Sequence, residues 1–199
     1  SQPPMSLTED EDDGGGQPDI KVEAPEEEMA DRTALQQAIS CLEDDDRQLT
    51  KREPQGWTVN SQTNWWGVNR AGGNGDPEAT DGNYIFGVWD GSNTMSPSIS
   101  QTISNLPKGN YIISVDIHAS NTGNAVRVGK QRIFANDAVA LFADKITEAG
   151  KGDNYPMQTL SLKFTQKTDN APLNIGVATD GAPSATWFKI DNFRLYRLK

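Results

Sequence analysis

The stretch Asn64-Trp65-Trp66-Gly67-Val68-Asn69-Arg70-Ala71-Gly72-Gly73-Asn74-Gly75-Asp76 concentrates the side chains best suited to holding a small polar ligand. A sugar offers C–H groups on its ring faces and paired hydroxyls around its rim. An indole answers the first, and planar amides, carboxylates and guanidinium groups answer the second. Trp65, Trp66, Asn69, Arg70 and Asp76 supply that mixture. We read the stretch as a loop. Where it is extended, Trp65 and Trp66 point to opposite sides, so at most one enters a core. The other either meets a ligand or packs on its own glycine-rich loop. A fully exposed Trp without a partner is uncommon.

Catalytic chemistry has fewer candidates. His118 is the only histidine and Cys41 the only cysteine. That pair disfavours zinc. It leaves one base for any nucleophilic triad, with no Gly-x-Ser-x-Gly turn to present a serine. Glycoside hydrolysis needs two carboxylates. Residues 54–199 hold two glutamates, Glu78 and Glu148, both in expected loops, and ten aspartates without an obvious pairing. The acid-bearing stretch Asp76-Pro77-Glu78-Ala79-Thr80-Asp81-Gly82 departs from calcium-loop spacing and reads as a turn. No phosphate-cradling glycine motif is present. We expect no catalytic residue and no cofactor.

Charge divides the chain in two. Of the 199 residues, 1–53 carry 16 acids against 5 bases, and 54–199 carry 12 acids against 13 bases. The net charge of −10 therefore belongs to the leader. A domain this close to neutral lacks the basic face that nucleic acid or an anionic membrane requires. No apolar run is long enough to span a bilayer. The runs Glu9-Asp10-Glu11-Asp12-Asp13 and Glu26-Glu27-Glu28 flank glycines and mark a low-complexity leader with little apolar surface to offset ordering entropy. Such a leader suits a tether or a contact with a protein partner. Within it, residues 30–43 show a helical pattern of Ala34, Leu35, Ala38, Ile39 and Leu42, which also contains Cys41. The chain begins at Ser1 rather than Met, which we read as a processed product whose export signal has been removed.

From Trp57 onward the period changes to two. Ile113, Val115, Ile117 and Ala119 alternate with polar neighbours, as do Leu160, Leu162 and Phe164, and Leu173, Ile175 and Val177. Turn signals at Asp90-Gly91, Pro107-Lys108-Gly109 and Asp180-Gly181 separate them. Strands are expected near 57–61, 84–89, 99–104, 110–120, 125–135, 138–142, 157–166, 172–179 and 186–198. Short strands at this spacing predict an all-β antiparallel sandwich over 54–199. Tyr84-Ile85-Phe86-Gly87-Val88-Trp89 is apolar on both faces, so it is either covered on both sides or presents a ligand platform. We read it as covered, and Trp89 and Trp187 as core residues. His118 alternates out of phase with Ile117 and should face away from the core. In Trp187–Tyr196, Phe188 and Ile190 share one parity while Phe193 and Leu195 share the other. One β-bulge at Asp191-Asn192 would keep all four on the same face.

Three stretches taken in order resemble the galactose-binding-domain-like jelly rolls. They are Ile99-Ser100-Gln101-Thr102-Ile103-Ser104-Asn105-Leu106-Pro107-Lys108-Gly109-Asn110-Tyr111-Ile112-Ile113-Ser114-Val115, then Ile133-Phe134-Ala135-Asn136, then Trp187-Phe188-Lys189-Ile190-Asp191-Asn192-Phe193-Arg194-Leu195. The resemblance covers roughly 54–198. It implies an antiparallel jelly-roll β-sandwich, like the carbohydrate-binding modules of exported bacterial glycan-utilisation proteins. Such domains bind sugars through edge loops or along a sheet face, outside the cytoplasm at the cell surface or in the periplasm. Many also hold a structural calcium, and Asp191 occupies the place of a metal ligand in those members. Calcium-binding relatives add a carboxylate from the first strand, where Trp57-Thr58-Val59-Asn60 has none. The other reading of Asp191-Asn192 is a bulge whose side chains bond a neighbouring loop. The resemblance thus points to a glycan or other small neutral ligand, the alternative being a structural or protein-interaction sandwich with no sugar ligand.

Overall fold

The structure, a computed structural model, describes residues 54, 56–70, 77–119, 129–146 and 156–199, with the backbone alone at 69 and 70. The leader, its expected helix over 30–43, Cys41 and Asp76 lie outside the described residues.

Ten strands appear among the described residues. They are β1 (Thr58–Asn60), β2 (Trp65–Arg70), β3 (Tyr84–Asp90), β4 (Ser98–Ile103), β5 (Gly109–Ala119), β6 (Gln131–Ala135), β7 (Ala138–Leu141), β8 (Gln158–Gln166), β9 (Leu173–Thr179) and β10 (Thr186–Arg197). They form two antiparallel five-stranded sheets, ordered β1-β4-β9-β6-β7 and β2-β3-β10-β5-β8. The fold is a jelly-roll β-sandwich. Alternation makes one face of each sheet apolar, and the two apolar faces close on each other. Ile99, Ile133, Ile175 and Val177 come from the first sheet, and Phe86, Val88, Ile113, Ile117 and Phe188 from the second; all are buried in one cluster. Each such side chain contributes about 1.5–3 kcal/mol on leaving water.

β2 departs from expectation. Asn64, Gly67 and Asn69 read locally as loop, yet Trp65–Arg70 pair with β3 along their whole length. Trp66 and Val68 pack on the core, and that burial outweighs the weak strand preference of glycine and asparagine.

The bulge in β10 is present. Between Asp191 and Arg194 the register against β5 shifts, because Asp191 pairs with Asp116 and Arg194 with Ser114. Asn192 takes a φ of 51°, which asparagine tolerates better than most residues. Phe188, Ile190, Phe193 and Leu195 are consequently all buried.

Candidate functional site

The site grows out of register. Trp65 on β2 pairs with Trp89 on β3, and Trp89 pairs with Trp187 on β10. Their chain neighbours Trp66, Val88 and Phe188 point into the core. The three indoles therefore share the outer face of the second sheet, in a row that crosses three strands about 4.8 Å apart.

Beside that row runs Gly67, Gly87, Lys189 and His118, paired in succession across four strands. The glycines make room. A Cβ on Gly87 would stand 2.9 Å from Lys189 Cδ and 3.0 Å from Trp65 Cζ3. The Trp65 ring and the lysine stem thus lie down on the backbone of β3. Lys189 Nζ sits 5.4 Å from the Trp65 centroid and 5.9 Å from that of Trp187, within reach of both π faces. His118 packs on Trp187 with ring centroids 4.8 Å apart. Trp89 leans over Gly91 and is 43% exposed. The result is a face that carries three indoles, with the Lys189 cation near two of them and the buried His118 imidazole packed on Trp187.

Gly87→Ala would push on Trp65 and Lys189 rather than on backbone. We expect it to weaken ligand binding by about fivefold to tenfold while Tm stays within about 3 °C. Titration of tryptophan fluorescence alongside a thermal melt checks both.

One end of the surface is shaped by Asp90, which is buried. Its Oδ1 accepts from the Ser92 and Asn93 amides, both at 2.8 Å, and its Oδ2 from the Asn64 amide at 3.2 Å. Asn64 Oδ1 in turn accepts from the Gly91 amide at 3.1 Å. The Ser92 amide holds the Asp90 carboxyl below its ordinary value of 3.8; burial works the other way, and the Asn93 and Asn64 amides reinforce the lowering. A lowered carboxyl stabilises the fold above its ordinary value and loses that contribution as pH falls through the folded one. Below about pH 4 the turn should therefore loosen, and Trp89 emission should shift red before global unfolding. An Asp90→Asn variant should show a flatter acid limb in a melt-versus-pH series. Beyond the turn, a cleft of about 300 Å³ is lined by Asn60, Ser61, Gln62, Thr63, Thr94, Met95 and Ser96.

The other end holds two buried carboxylates, Asp191 and Asp116. Asp191 Oδ2 accepts from the Thr80 amide at 2.8 Å and the Asp81 amide at 2.9 Å, and lies 3.2 Å from Thr80 Oγ1. Its Oδ1 accepts from the Asn192 amide at 2.7 Å. Burial pushes the Asp191 carboxyl up, and the Asp81, Thr80 and Asn192 amides oppose the rise. Asp116 Oδ1 pairs with Arg194 at 2.7 Å. Among the described residues, no group of three His, Cys, Asp or Glu side chains could hold a metal ion.

Of the residues singled out from sequence, Trp65 stands on the outer face, Trp66 packs on the core, and Asn69 and Arg70 are placed by backbone alone on β2. Asp191 lies at the bulge, bonded to the 80–81 loop. Trp89 and Trp187, expected in the core, lie on the outer face. The apolar character of both faces of β3 hid the difference; only the pairing of 65, 89 and 187 reveals it. His118 faces outward as its parity predicts.

No family model matches the chain, and no curated protein matches it. Solved structures do. TmCBM61, in complex with β-1,4-galactotriose, is 19% identical, with 72% of this chain and 90% of that one covered and a TM-score of 0.47. The CBM22-1 xylan-binding domain of Xyn10C from Paenibacillus barcinonensis is 14% identical, with 73% and 87% covered and a TM-score of 0.42. A putative sugar binding protein from Bacteroides thetaiotaomicron is 11% identical, with 71% and 87% covered and a TM-score of 0.44. These are likenesses of fold.

Proposed function

We propose that residues 54–199 form a non-catalytic carbohydrate-binding domain that holds a neutral glycan against Trp65, Trp89 and Trp187. The observation that carries this is the row of three indoles on one outer face, with Trp89 43% exposed. Exposing so much apolar ring is costly unless a partner covers it. Sugar rings suit such a surface, because their C–H faces meet indoles while their hydroxyls reach polar groups beside them. The rim cleft supplies uncharged amides and hydroxyls from Asn60, Gln62 and Thr94. In this reading the domain belongs to an exported protein, at the cell surface or in the periplasm, and the acidic leader is a tether.

An array of neutral oligosaccharides tests the reading, followed by fluorescence titration at low and high salt. Binding should quench tryptophan emission and be indifferent to salt, since no charge is neutralised. An array without signal, together with fluorescence unmoved by cellohexaose and xylohexaose, refutes it.

A second reading rests on Val139, 49% exposed on the edge strand β7. It makes the sandwich a protein-interaction domain, and concentration-dependent sedimentation would support it.

A further inference from the structure

We propose that Asp191 and Asp116, acting through Thr80, position the segment 77–82 as one wall of the sugar-binding face, so that this wall takes part in recognition. The proposal rests on the aromatic-face reading above and deepens it.

The placement follows from pairing. Lys189 pairs with His118 and Asp191 with Asp116, all four on the outer face. Two residues along a strand are about 7 Å. Thr80, bonded to both aspartates, therefore stands about one such step from the row that the Trp65 and Trp187 rings flank. Ile85 supports this. Its parity on β3 is outward, opposite to Phe86 and Val88, yet it is only 1% exposed. Chain must lie over the outer face there. Trp89, at the other end of β3, stays open. The face is thus covered at one end of β3, beside the segment 77–82, and open at the other.

The clasp is built for position. An ionised carboxylate is costly to bury unless donors surround it. Asp191 is 1% exposed and has the Thr80, Asp81 and Asn192 amides on it. The Thr80 hydroxyl has a single proton. It goes to Asp116 Oδ2, at 2.6 Å, in preference to Asp191 Oδ2, at 3.2 Å. Asn192 Nδ2 donates to the same Asp116 oxygen at 3.0 Å. The bulge swings Asn192 into that place, since its φ is 51° and the β10 register slips there. The bulge, the two aspartates and the wall thus form one device. Glu78, Thr80 and Asp81 remain exposed on the wall, presenting acceptors to ligand hydroxyls.

The experiment uses the full chain with xylohexaose and cellohexaose as probes. Thr80→Val keeps the side-chain shape and removes the hydroxyl. It should weaken binding about fivefold with Tm within about 3 °C of the parent. Thr80→Ser should bind as the parent does. Asn192→Gly keeps the positive φ, removes the amide on Asp116, and should weaken binding in the same direction, which covers the case of a poorly folded Thr80→Val. If Thr80→Val and Asn192→Gly lower Tm but bind both probes like the parent, the clasp serves stability alone and the proposal is overturned. If the parent binds neither probe and the oligosaccharide array is silent as well, the aromatic-face reading fails first and the wall falls with it.

Discussion

Replacing Trp89 by alanine is expected to weaken binding of a neutral oligosaccharide by about thirtyfold or more, with Tm within about 3 °C of the parent. The asymmetry follows from where the ring sits. Trp89 is 43% exposed and rests on Gly91, at the open end of the face. Surface truncations away from buried networks cost little stability, about 0.5 kcal/mol. A tryptophan at the centre of a contact is a common hot spot, costing about 2 kcal/mol or more when truncated. Trp65 would be a less clean probe, because its ring also lies against Gly87 and Lys189 and its loss would disturb both. Calorimetric titration of the Trp89→Ala and Trp65→Ala variants, each with its melt, separates the effects. Parent-like affinity in both variants would remove the face from sugar recognition.

The clasp and the aromatic row share a logic in which register does the placing. Strand residues are held by hydrogen bonds on both sides, so side chains on neighbouring strands keep fixed spacing. A ligand surface is better built on such a lattice than on a loop. The central strands β3 and β10 have neighbours on both edges, and they carry Trp89, Trp187 and Lys189. The loops then supply what the lattice cannot: the Asp90 turn at one end and the 77–82 wall at the other.

Legibility from sequence tracks how local each signal is. The long alternations in β5, β8 and β9 each contain their own period, and they appear as read. The bulge in β10 is legible because the parity break lies within a single strand, between Ile190 and Phe193. β2 is not legible, because Gly67 and two asparagines give the local signature of a loop while pairing with β3 decides the outcome. The opposed directions of Trp65 and Trp66 follow from strand geometry alone. The aromatic row is the hardest feature to read. Residues 65, 89 and 187 become neighbours only through two registers, and neither is written in a window of ten residues. Trp89 and Trp187 each lie in strands with apolar residues on both parities, so burial and exposure look alike. Asp191 is marked by its bulge, but its partner Thr80 is 111 positions away.

Gly176→Ala should be the most damaging small substitution in the sandwich, costing about 3 kcal/mol or more and threatening folding at 37 °C. Gly176 lies in β9, the central strand of the first sheet, paired with Ser100 on β4 and Phe134 on β6. A Cβ there would stand 2.1 Å from the Ile99 carbonyl oxygen and 2.9 Å from Ser100 Cα, both backbone atoms. It would also meet the Phe134 ring at 2.8 Å. A ring can swing away, but backbone in the middle of a sheet cannot, because β4 is held to β9 from Ser98 to Ile103. Relief would require prising β4 from β9 and opening the core contacts of Ile99 and Val177 beneath. The comparison with Gly87→Ala is informative. There the obstructing atoms belong to Lys189 and Trp65 side chains, so the cost should fall on binding. At Gly176 the obstruction is backbone, so the cost should fall on folding. Denaturant melts of the two variants, run beside a titration with xylohexaose, should show opposite patterns. A Gly176→Ala protein with the parent's midpoint would mean that β4 and β9 lie farther apart than the geometry here places them.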